Sequence, residues 1–130
     1  MKYMIIGGVA GGASTAARLR RLDEQAEIIL FEKGEYISYA NCGLPYYIGG
    51  VIEERERLFV QTPESFKARF NIEVRIKSEV KAIEPENKQV VIKDWATGKT
   101  YRESFDKLVL SPGAEPVLPP WEGIRTEGIF

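Results

Sequence analysis

The segment KYMIIGGVAGG, residues 2–12, decides the fold of this chain. Its apolar first half, Lys2 to Ile6, predicts a short buried strand, and the glycines that follow predict a tight turn. A helix with one small and apolar face is predicted from Ala13 to Leu22, and a second apolar strand from Ala26 to Phe31. Strand, glycine turn, helix and strand in this order predict a βαβ unit with a right-handed crossover.

The glycine turn is close to the dinucleotide fingerprint G-x-G-x-x-G, whose glycines allow the backbone to approach a bound pyrophosphate. Gly7 and Gly12 hold its first and third positions, and Val9 stands at the middle one. Glu32 comes 20 residues after Gly12, where a carboxylate at a strand end can accept hydrogen bonds from ribose hydroxyls. A plain tight turn is the alternative, and the strand context with Glu32 argues against it. The candidate cofactor residues of this segment are Gly7, Gly8, Val9, Ala10, Gly11, Gly12, Glu32 and Lys33.

The rest of the chain predicts a loop, a helix and a series of strands. Residues 33–50 are rich in glycine and include a possible short helix from Leu44 to Ile48. Thr62 and Pro63 predict a helix start, since Thr is a good N-cap and Pro suits the first helical position; that helix should run to about Phe70. Further strands are predicted at residues 72–76, 79–83, 89–95, 100–104 and 106–110. The predicted fold class is α/β, a Rossmann-like domain with a parallel sheet and an antiparallel β insertion.

Composition excludes several classes of function. The 130 residues suffice for one domain, and 44% hydrophobic with 28% charged residues is ordinary for a globular protein. A net charge of −1 gives no electrostatic basis for a nucleic-acid or anionic-membrane partner. No apolar run reaches the ~18 residues of a bilayer span, and the N-terminus lacks a signal peptide, so we expect a cytoplasmic protein. Without histidine and with one cysteine, no metal site is expected.

The single cysteine, Cys42, has two interpretations. An unpaired cysteine is often a buried packing residue. Here Asn41 and Gly43 flank it in a predicted loop, and it precedes the possible helix at Leu44, whose dipole would favour a thiolate. The loop also follows the strand that ends at Glu32 and can return toward a bound dinucleotide. These features favour a reactive thiol.

The segment Asn41-Cys42-Gly43-Leu44-Pro45-Tyr46, preceded by Ser38, resembles the active-site segment of the coenzyme A disulfide reductases. These belong to the single-cysteine branch of the pyridine nucleotide-disulfide oxidoreductases, together with NADH oxidases, NADH peroxidases and CoA-persulfide reductases. The resemblance covers the whole chain, and the glycine turn, Glu32 and residues 110–114 fall where that family binds FAD. The two-cysteine C-x4-C mechanism is excluded, because Tyr47 stands five positions after Cys42.

The resemblance implies an NAD(P)H-dependent flavoprotein. FAD would lie along this domain, NADPH or NADH would bind a second Rossmann domain, and electrons would pass to the sulfur of Cys42. CoA disulfide or CoA persulfide would be the substrate, and the full-length protein would be a homodimer. Residues 1–130 would then be the N-terminal part of a longer chain, inactive alone, with the apolar residues at Phe130 continuing into it. Two alternatives stay open: an NADH oxidase or peroxidase that cycles Cys42 through a sulfenic acid, and a flavin-binding redox module without turnover.

The resemblance also assigns residues to the two ligands. The further FAD-binding candidates are Val80, Ala82, Ser111 and Gly113. The candidates for binding the CoA substrate are Ser14, Arg18, Arg21, Ser38 and Asn41. For the two arginines, the solvated face of an amphipathic helix is an equal alternative. The family has a lysine near position 70, where this chain has Phe70, so that contact is left open, with Lys67 and Arg69 as candidates to replace it.

Overall fold

The computed structural model describes residues 1–128, so the apolar chain end at Ile129 and Phe130 lies outside the described residues. The helices are α1 (Ala10–Leu22), α2 (Leu44–Ile48) and α3 (Pro63–Phe70). The strands are β1 (Lys2–Ile6), β2 (Glu27–Phe31), β3 (Glu73–Arg75), β4 (Ser78–Glu84), β5 (Gln89–Asp94), β6 (Thr100–Ser104) and β7 (Lys107–Leu110). Within this part of the chain, none of the helices has the length and apolar character needed to cross a bilayer.

The strands form two sheets, which confirms the predicted fold class. β3, β2, β1 and β7 make a parallel sheet in that order, and β4, β5 and β6 make an antiparallel one. β1 and β2 carry continuous apolar runs because both faces of the parallel sheet are covered. Helix α1 and the region around Phe66 cover one face, whereas Val90 and Ile92 of the antiparallel sheet cover the other.

The helix α1 begins at Ala10, three residues before its predicted start at Ala13. The turn is therefore shorter than the glycine run, and Gly11 and Gly12 belong to the first helical turn. Gly12 permits this, since a Cβ at that position would lie 1.8 Å from the carbonyl oxygen of Gly7. Val9 has a φ of −84°, so the middle position of the fingerprint does not need the positive φ that would favour glycine.

The other predicted elements are confirmed with ends that shift by a residue or two. Helix α2 spans the predicted residues, and Thr62 caps α3 by accepting a hydrogen bond from the Ser65 N–H at 3.2 Å. β3 is shorter than the predicted segment 72–76, because it pairs only with residues 29–31 of β2. The pairing ends at Arg75, so Ile76 lies in the turn before β4.

Arg20 joins the ends of α1 and α3. Its guanidinium donates to the carbonyl oxygens of Phe70 at 2.8 Å, Asn71 at 2.9 Å and Glu24 at 2.6 Å. These carbonyls lie at or just after the C-terminal ends of the two helices. Unpaired backbone acceptors and the helix dipoles favour a cation there. Arg20 therefore has a structural role that the charge pattern of α1 did not reveal.

A half-buried charge cluster joins the two sheets. The Glu103 carboxylate of β6 accepts from Lys2 Nζ at 2.6 Å and from Arg75 Nη1 at 2.8 Å, and its side chain is 20% exposed. Burial alone would raise the pKa of Glu103, but the hydrogen bonds from Lys2 and Arg75 outweigh it and hold that pKa below its ordinary value of 4.5. The carboxylate therefore favours the folded state when it is ionised.

We expect Glu103→Gln to destabilise the contact between the sheets by about 2 kcal/mol at pH 7, because it leaves Lys2 and Arg75 without their shared anion. Since the folded-state pKa of Glu103 is lowered, its contribution is present above about pH 4.5 and is lost as the pH falls through the folded-state value. Hydrogen exchange of β5 and β6 amides, corrected for intrinsic rates, measures the difference between wild type and variant. That difference should shrink in acid.

The matched control is Glu84→Gln, which removes the Glu84–Arg102 pair from the exposed face of the same sheet. Arg102 is 62% exposed there, so solvent screens the pair and the loss of stability should be much smaller than that caused by Glu103→Gln. Equal effects of the two substitutions at neutral pH would contradict the role assigned to Glu103.

Candidate functional site

The first cavity, here called the glycine-loop cavity, has a volume of about 230 Å³. It opens at the carboxyl ends of β1, β2 and β7, the edge at which open parallel sheets bind ligands. Its walls bring together most of the predicted cofactor residues, although these come from three separate parts of the chain. The residues lining it are Gly7, Gly8, Val9, Glu32, Lys33, Tyr39, Asn41, Ser111, Pro112, Gly113 and Ala114.

A close backbone approach shapes this cavity. A Cβ on Gly7, whose φ is +94°, would lie 1.9 Å from the carbonyl oxygen of Ser111 at the end of β7. The turn after β1 therefore packs directly against the chain after β7, and the N-terminus of α1 faces the opening between them. No side chain in residues 1–128 caps that N-terminus, which leaves its backbone N–H groups available to an anion.

Glu32 is held rigidly at the rim of the glycine-loop cavity. Its Oε2 accepts a hydrogen bond from the Gly8 N–H at 2.8 Å, and its Oε1 accepts one from the Gly34 N–H at 2.8 Å. Each carboxylate oxygen has a second lone pair, so both can still accept from a hydroxyl. The geometry fits the ribose-binding role that the sequence predicted for Glu32.

Among the other predicted cofactor residues, Ala10, Gly11 and Gly12 begin α1 and are not in the lining of the glycine-loop cavity, which Lys33 does line. Lys33 is paired with Glu115, whose hydrogen bond and charge raise the pKa of the Lys33 ammonium. Val80 and Ala82 flank a bulge in β4 and lie outside the glycine-loop cavity, although β4 begins beside it, where the Ser78 N–H bonds the Glu32 carbonyl at 2.9 Å. Their contact with a cofactor stays a prediction.

The second cavity, the helix-face cavity, has a volume of about 360 Å³ and runs along α1. Ser14, Arg21 and Ser38, three of the five predicted substrate residues, line it together. Ser14 and Arg21 are seven residues apart, so they share a helix face and are separated by about 10 Å along its axis. The full lining is Ala10, Ala13, Ser14, Ala17, Arg21, Ser38, Tyr39, Val60, Gln61, Phe66 and Phe70.

Ser38 is held in a left-handed backbone conformation, with a φ of +46°. Its N–H donates to the Gly8 carbonyl at 2.8 Å, and its own carbonyl accepts from the Val60 N–H at 2.9 Å. Such a conformation is uncommon for serine and persists where surrounding contacts impose it. These two hydrogen bonds fix Ser38 between the glycine turn and the strand-like segment at Val60.

Two predicted substrate residues lie outside the helix-face cavity. Arg18 is exposed on α1, away from both cavities, and Asn41 lines the glycine-loop cavity instead. The predicted replacements for the missing lysine are also engaged elsewhere. Lys67 donates to Asn71 Oδ1 at 2.9 Å, and the Arg69 guanidinium lies 5.3 Å from the centre of the Phe70 ring.

Within residues 1–128, the Cys42 side chain is exposed. The interpretation of Cys42 as a buried packing residue is therefore wrong. Cys42 lies in a single 3₁₀ turn, Asn41–Gly43, that leads directly into α2. The residue before it, Asn41, lines the glycine-loop cavity, and Ser38 lines the helix-face cavity. The thiol is therefore attached to the short loop that joins the two cavities.

Sequence reasoning missed Tyr39, Gln61 and Phe66 as lining residues. Tyr39 lines both cavities, and its neighbours Ser38 and Asn41 were the signal that could have identified it. Gln61 and Phe66 reach the helix-face cavity only because α3 packs beside α1, which no local pattern predicts. Within residues 1–128, no three or more acidic, histidine or cysteine side chains come together as a metal site.

The structure is a Rossmann-like α/β domain with an exposed thiol on the loop between the glycine-loop cavity and the helix-face cavity. The sequence profile of the pyridine nucleotide-disulphide oxidoreductase family matches residues 1–130. The chain therefore belongs to the pyridine nucleotide-disulphide oxidoreductase family.

Similarity to individual proteins gives more detail than the match to the family. The chain is 48% identical to the coenzyme A disulfide reductase of Staphylococcus epidermidis over 113 residues, 87% of this chain and 26% of that protein. It is similar to the solved structure of reduced Bacillus anthracis CoADR-RHD, with 59% identity, a TM-score of 0.93, and coverage of 95% of this chain and 22% of that one. A NAD-dependent persulfide reductase from A. fulgidus has 39% identity and a TM-score of 0.93 over 98% of this chain and 24% of its own. The chain spans about a quarter of the length of these relatives.

We expect Gly12→Ala to lower the stability of the domain by about 3 kcal/mol, because the new Cβ would lie 1.8 Å from the Gly7 carbonyl oxygen and force α1 away from β1. The neighbouring Gly11→Ala is the control. Its Cβ would meet the Ser111 side chain, at 3.3 Å from the hydroxyl oxygen and 3.6 Å from Cβ, and alanine favours the helix. Denaturant unfolding followed by far-UV circular dichroism compares the variants; equal stability of the two would contradict this packing.

Proposed function

We propose that this chain supplies the FAD-binding segment and the redox-active cysteine of an NAD(P)H-dependent oxidoreductase that reduces CoA disulfide or CoA persulfide. One observation carries the proposal: exposed Cys42 lies on the loop whose neighbouring residues line both the glycine-loop cavity and the helix-face cavity. A thiol in this position can receive electrons from a cofactor on one side and react with a substrate on the other. The named relatives support the same chemistry.

The glycine-loop cavity fits the dinucleotide part of FAD. The uncapped N-terminus of α1 provides N–H groups for a pyrophosphate, and Glu32 provides acceptors for a ribose. Gly7, Gly8 and Ser111 would form the wall against which the backbone of the cofactor lies, and Gly113 follows at the same edge. FAD, when bound, supplies the two-electron chemistry that connects NAD(P)H to a sulfur.

Cys42 performs the exchange step on the substrate. Its thiolate attacks one sulfur of CoA disulfide, the S–S bond breaks, and one CoA leaves as a thiolate while the other stays bound to Cys42 in a mixed disulfide. Two electrons and one proton then release the second CoA and regenerate the Cys42 thiolate. Because the thiol is exposed on a short 3₁₀ turn, a bulky disulfide can reach it without displacing the core.

The helix-face cavity is the proposed CoA site. Arg21 provides a cation for the phosphates of CoA, and Ser14 and Ser38 provide hydroxyl groups for the amides of its pantetheine arm. Arg18 is exposed on the same helix outside the cavity and is proposed as a second cation for these phosphates, and Asn41 is proposed to contact the arm beside Cys42. The thiol end of CoA would then enter at Ser38, four residues before Cys42.

The proposal extends to parts of the protein beyond these residues. Residues 1–130 would be the N-terminal part of the FAD-binding domain, and a second nucleotide-binding domain would bind NADPH or NADH. A C-terminal domain would form a homodimer. The persulfide reductase neighbour makes CoA persulfide a candidate substrate by the same attack of Cys42 on sulfur.

We expect Cys42→Ser to abolish reduction of CoA disulfide, by at least about 1000-fold in kcat/KM, because a hydroxyl cannot form the mixed disulfide. Flavin binding and its bleaching by NAD(P)H should be retained, since no contact within the glycine-loop cavity involves the Cys42 side chain. The measurements are steady-state kinetics, the visible spectrum, and the intact mass of the full-length protein before and after a reducing agent. Wild type should carry a reducible adduct of one CoA, which the variant lacks.

Other outcomes would identify other functions. Flavin with no CoA adduct, and a Cys42 that gains one oxygen and reacts with a sulfenic-acid probe, would replace the proposal with an NADH oxidase or peroxidase. Flavin with no turnover of any disulfide, oxygen or peroxide would leave a redox module without catalysis. Absence of flavin would contradict the assignment of the glycine-loop cavity.

We expect Ser38→Gly to raise the KM for CoA disulfide by about fivefold with little change in kcat, because it removes one hydrogen bond to the bound substrate, worth about 1 kcal/mol. Glycine adopts a φ of +46° freely, so the backbone of the loop should be unchanged. Steady-state kinetics with CoA disulfide measure the effect, and the melting temperature serves as the control. A KM equal to that of wild type would exclude a substrate contact for the Ser38 hydroxyl.

A further inference from the structure

The helix-face cavity has two chemically different ends. Ser38 lies at the start of α1, since its N–H bonds the carbonyl of Gly8 two residues before the helix. Phe70 lies beside the second half of α1, since its carbonyl accepts from Arg20 Nε at 2.8 Å. The cavity therefore runs from a polar end near Cys42 to an aromatic end near the close of α1 and α3.

The aromatic end is a firm wall. Phe70 packs against Phe66 with ring centres 5.3 Å apart and planes at 68°, an edge-to-face arrangement. Phe66 is only 2% exposed, so the core fixes its position and it supports Phe70 from behind. The Arg69 guanidinium lies over the Phe70 ring, and this half-exposed ring borders the cavity.

Only one cation lines this end of the cavity among the residues that the structure describes. Arg20 and Lys67 are committed to helix-end contacts, and Arg69 is stacked on Phe70. Arg21 lines the cavity, and its Nε bonds the Ala17 carbonyl at 3.2 Å. Its two terminal nitrogens make no hydrogen bond or ion pair within residues 1–128, so they are free to bind an anionic ligand.

We propose that Phe70 is a specificity-determining residue that contacts the purine ring of a nucleotide-bearing thiol substrate, while Arg21 binds the phosphate next to that purine. This inference rests on the proposed function and deepens it, because it names the part of CoA that each end of the cavity takes. The thiol end lies toward Ser38 and Cys42, and the nucleotide lies about 10 Å farther along α1, at Arg21 and Phe70. An aromatic wall binds a base by stacking, which no aliphatic wall reproduces.

The experiment compares two disulfides of the same pantetheine thiol, one with the nucleotide (CoA disulfide) and one without it (pantetheine disulfide). Full-length wild type and Phe70→Ala are assayed with NAD(P)H for kcat and KM. We expect Phe70→Ala to raise the KM for CoA disulfide about tenfold, the change that corresponds to ~1.4 kcal/mol and lies within the range of base–aromatic stacking. The kcat and the KM for pantetheine disulfide should not change.

Two further variants separate stacking from packing. Phe70→Tyr keeps the aromatic ring and should retain the wild-type KM for CoA disulfide. Phe70→Leu keeps most of the buried volume without the ring and should behave as Phe70→Ala does. If Phe70→Ala proves unstable in a thermal melt, the comparison of Phe70→Leu with Phe70→Tyr decides the question.

Each contrary result has a distinct meaning. An equal rise in KM for both disulfides, or no rise in either, would overturn the purine contact while the wild-type protein remains an active CoA disulfide reductase. A flavin-loaded wild type that reduces neither disulfide would overturn the proposed function itself, and this inference with it.

Discussion

The two hydrogen bonds made by the backbone of Gly8 are the interactions on which the candidate site depends. The Gly8 N–H donates to the Glu32 carboxylate at 2.8 Å, and the Gly8 carbonyl accepts from the Ser38 N–H at 2.8 Å. One residue thus fixes the rim of the glycine-loop cavity and the loop of the helix-face cavity. A Cβ on Gly8 would lie 2.7 Å from Ile37 and 2.8 Å from Leu30, so only glycine brings these segments so close.

This arrangement explains how an exposed thiol can be placed accurately. The loop that carries Cys42 is tied to the glycine turn at Ser38 and to the next segment at Ala40, whose N–H bonds the Leu58 carbonyl at 2.7 Å. Tyr36 stacks on Phe59 with ring centres 4.8 Å apart, which holds the two segments together from the other side. Cys42 therefore lies on a loop with fixed ends. Its thiol can be held in a defined position and still be accessible to a substrate.

The antiparallel sheet contributes by covering the face of the parallel sheet opposite α1. Val90 and Ile92 bury Met4, Ile29 and Phe31, and the Glu103 cluster links the two sheets through Lys2 of β1 and Arg75 of β3. The cavities consequently form on a parallel sheet that is packed on both faces. The carboxyl edge of that sheet is the part left for ligands.

The sequence by itself determined the βαβ order, the parallel sheet with its antiparallel insertion, Glu32 at a strand end, and the cap of α3 at Thr62. These follow from local signals: apolar periodicity, glycine and proline positions, and capping residues. Tertiary structure alone decided that Arg20 bonds the end of α3, that Arg21 and not Arg18 lines the cavity, and that Phe70 stands in its wall. Residues that are adjacent in a helix point in different directions. Which neighbours each side chain contacts is determined only by the packing of α3 beside α1.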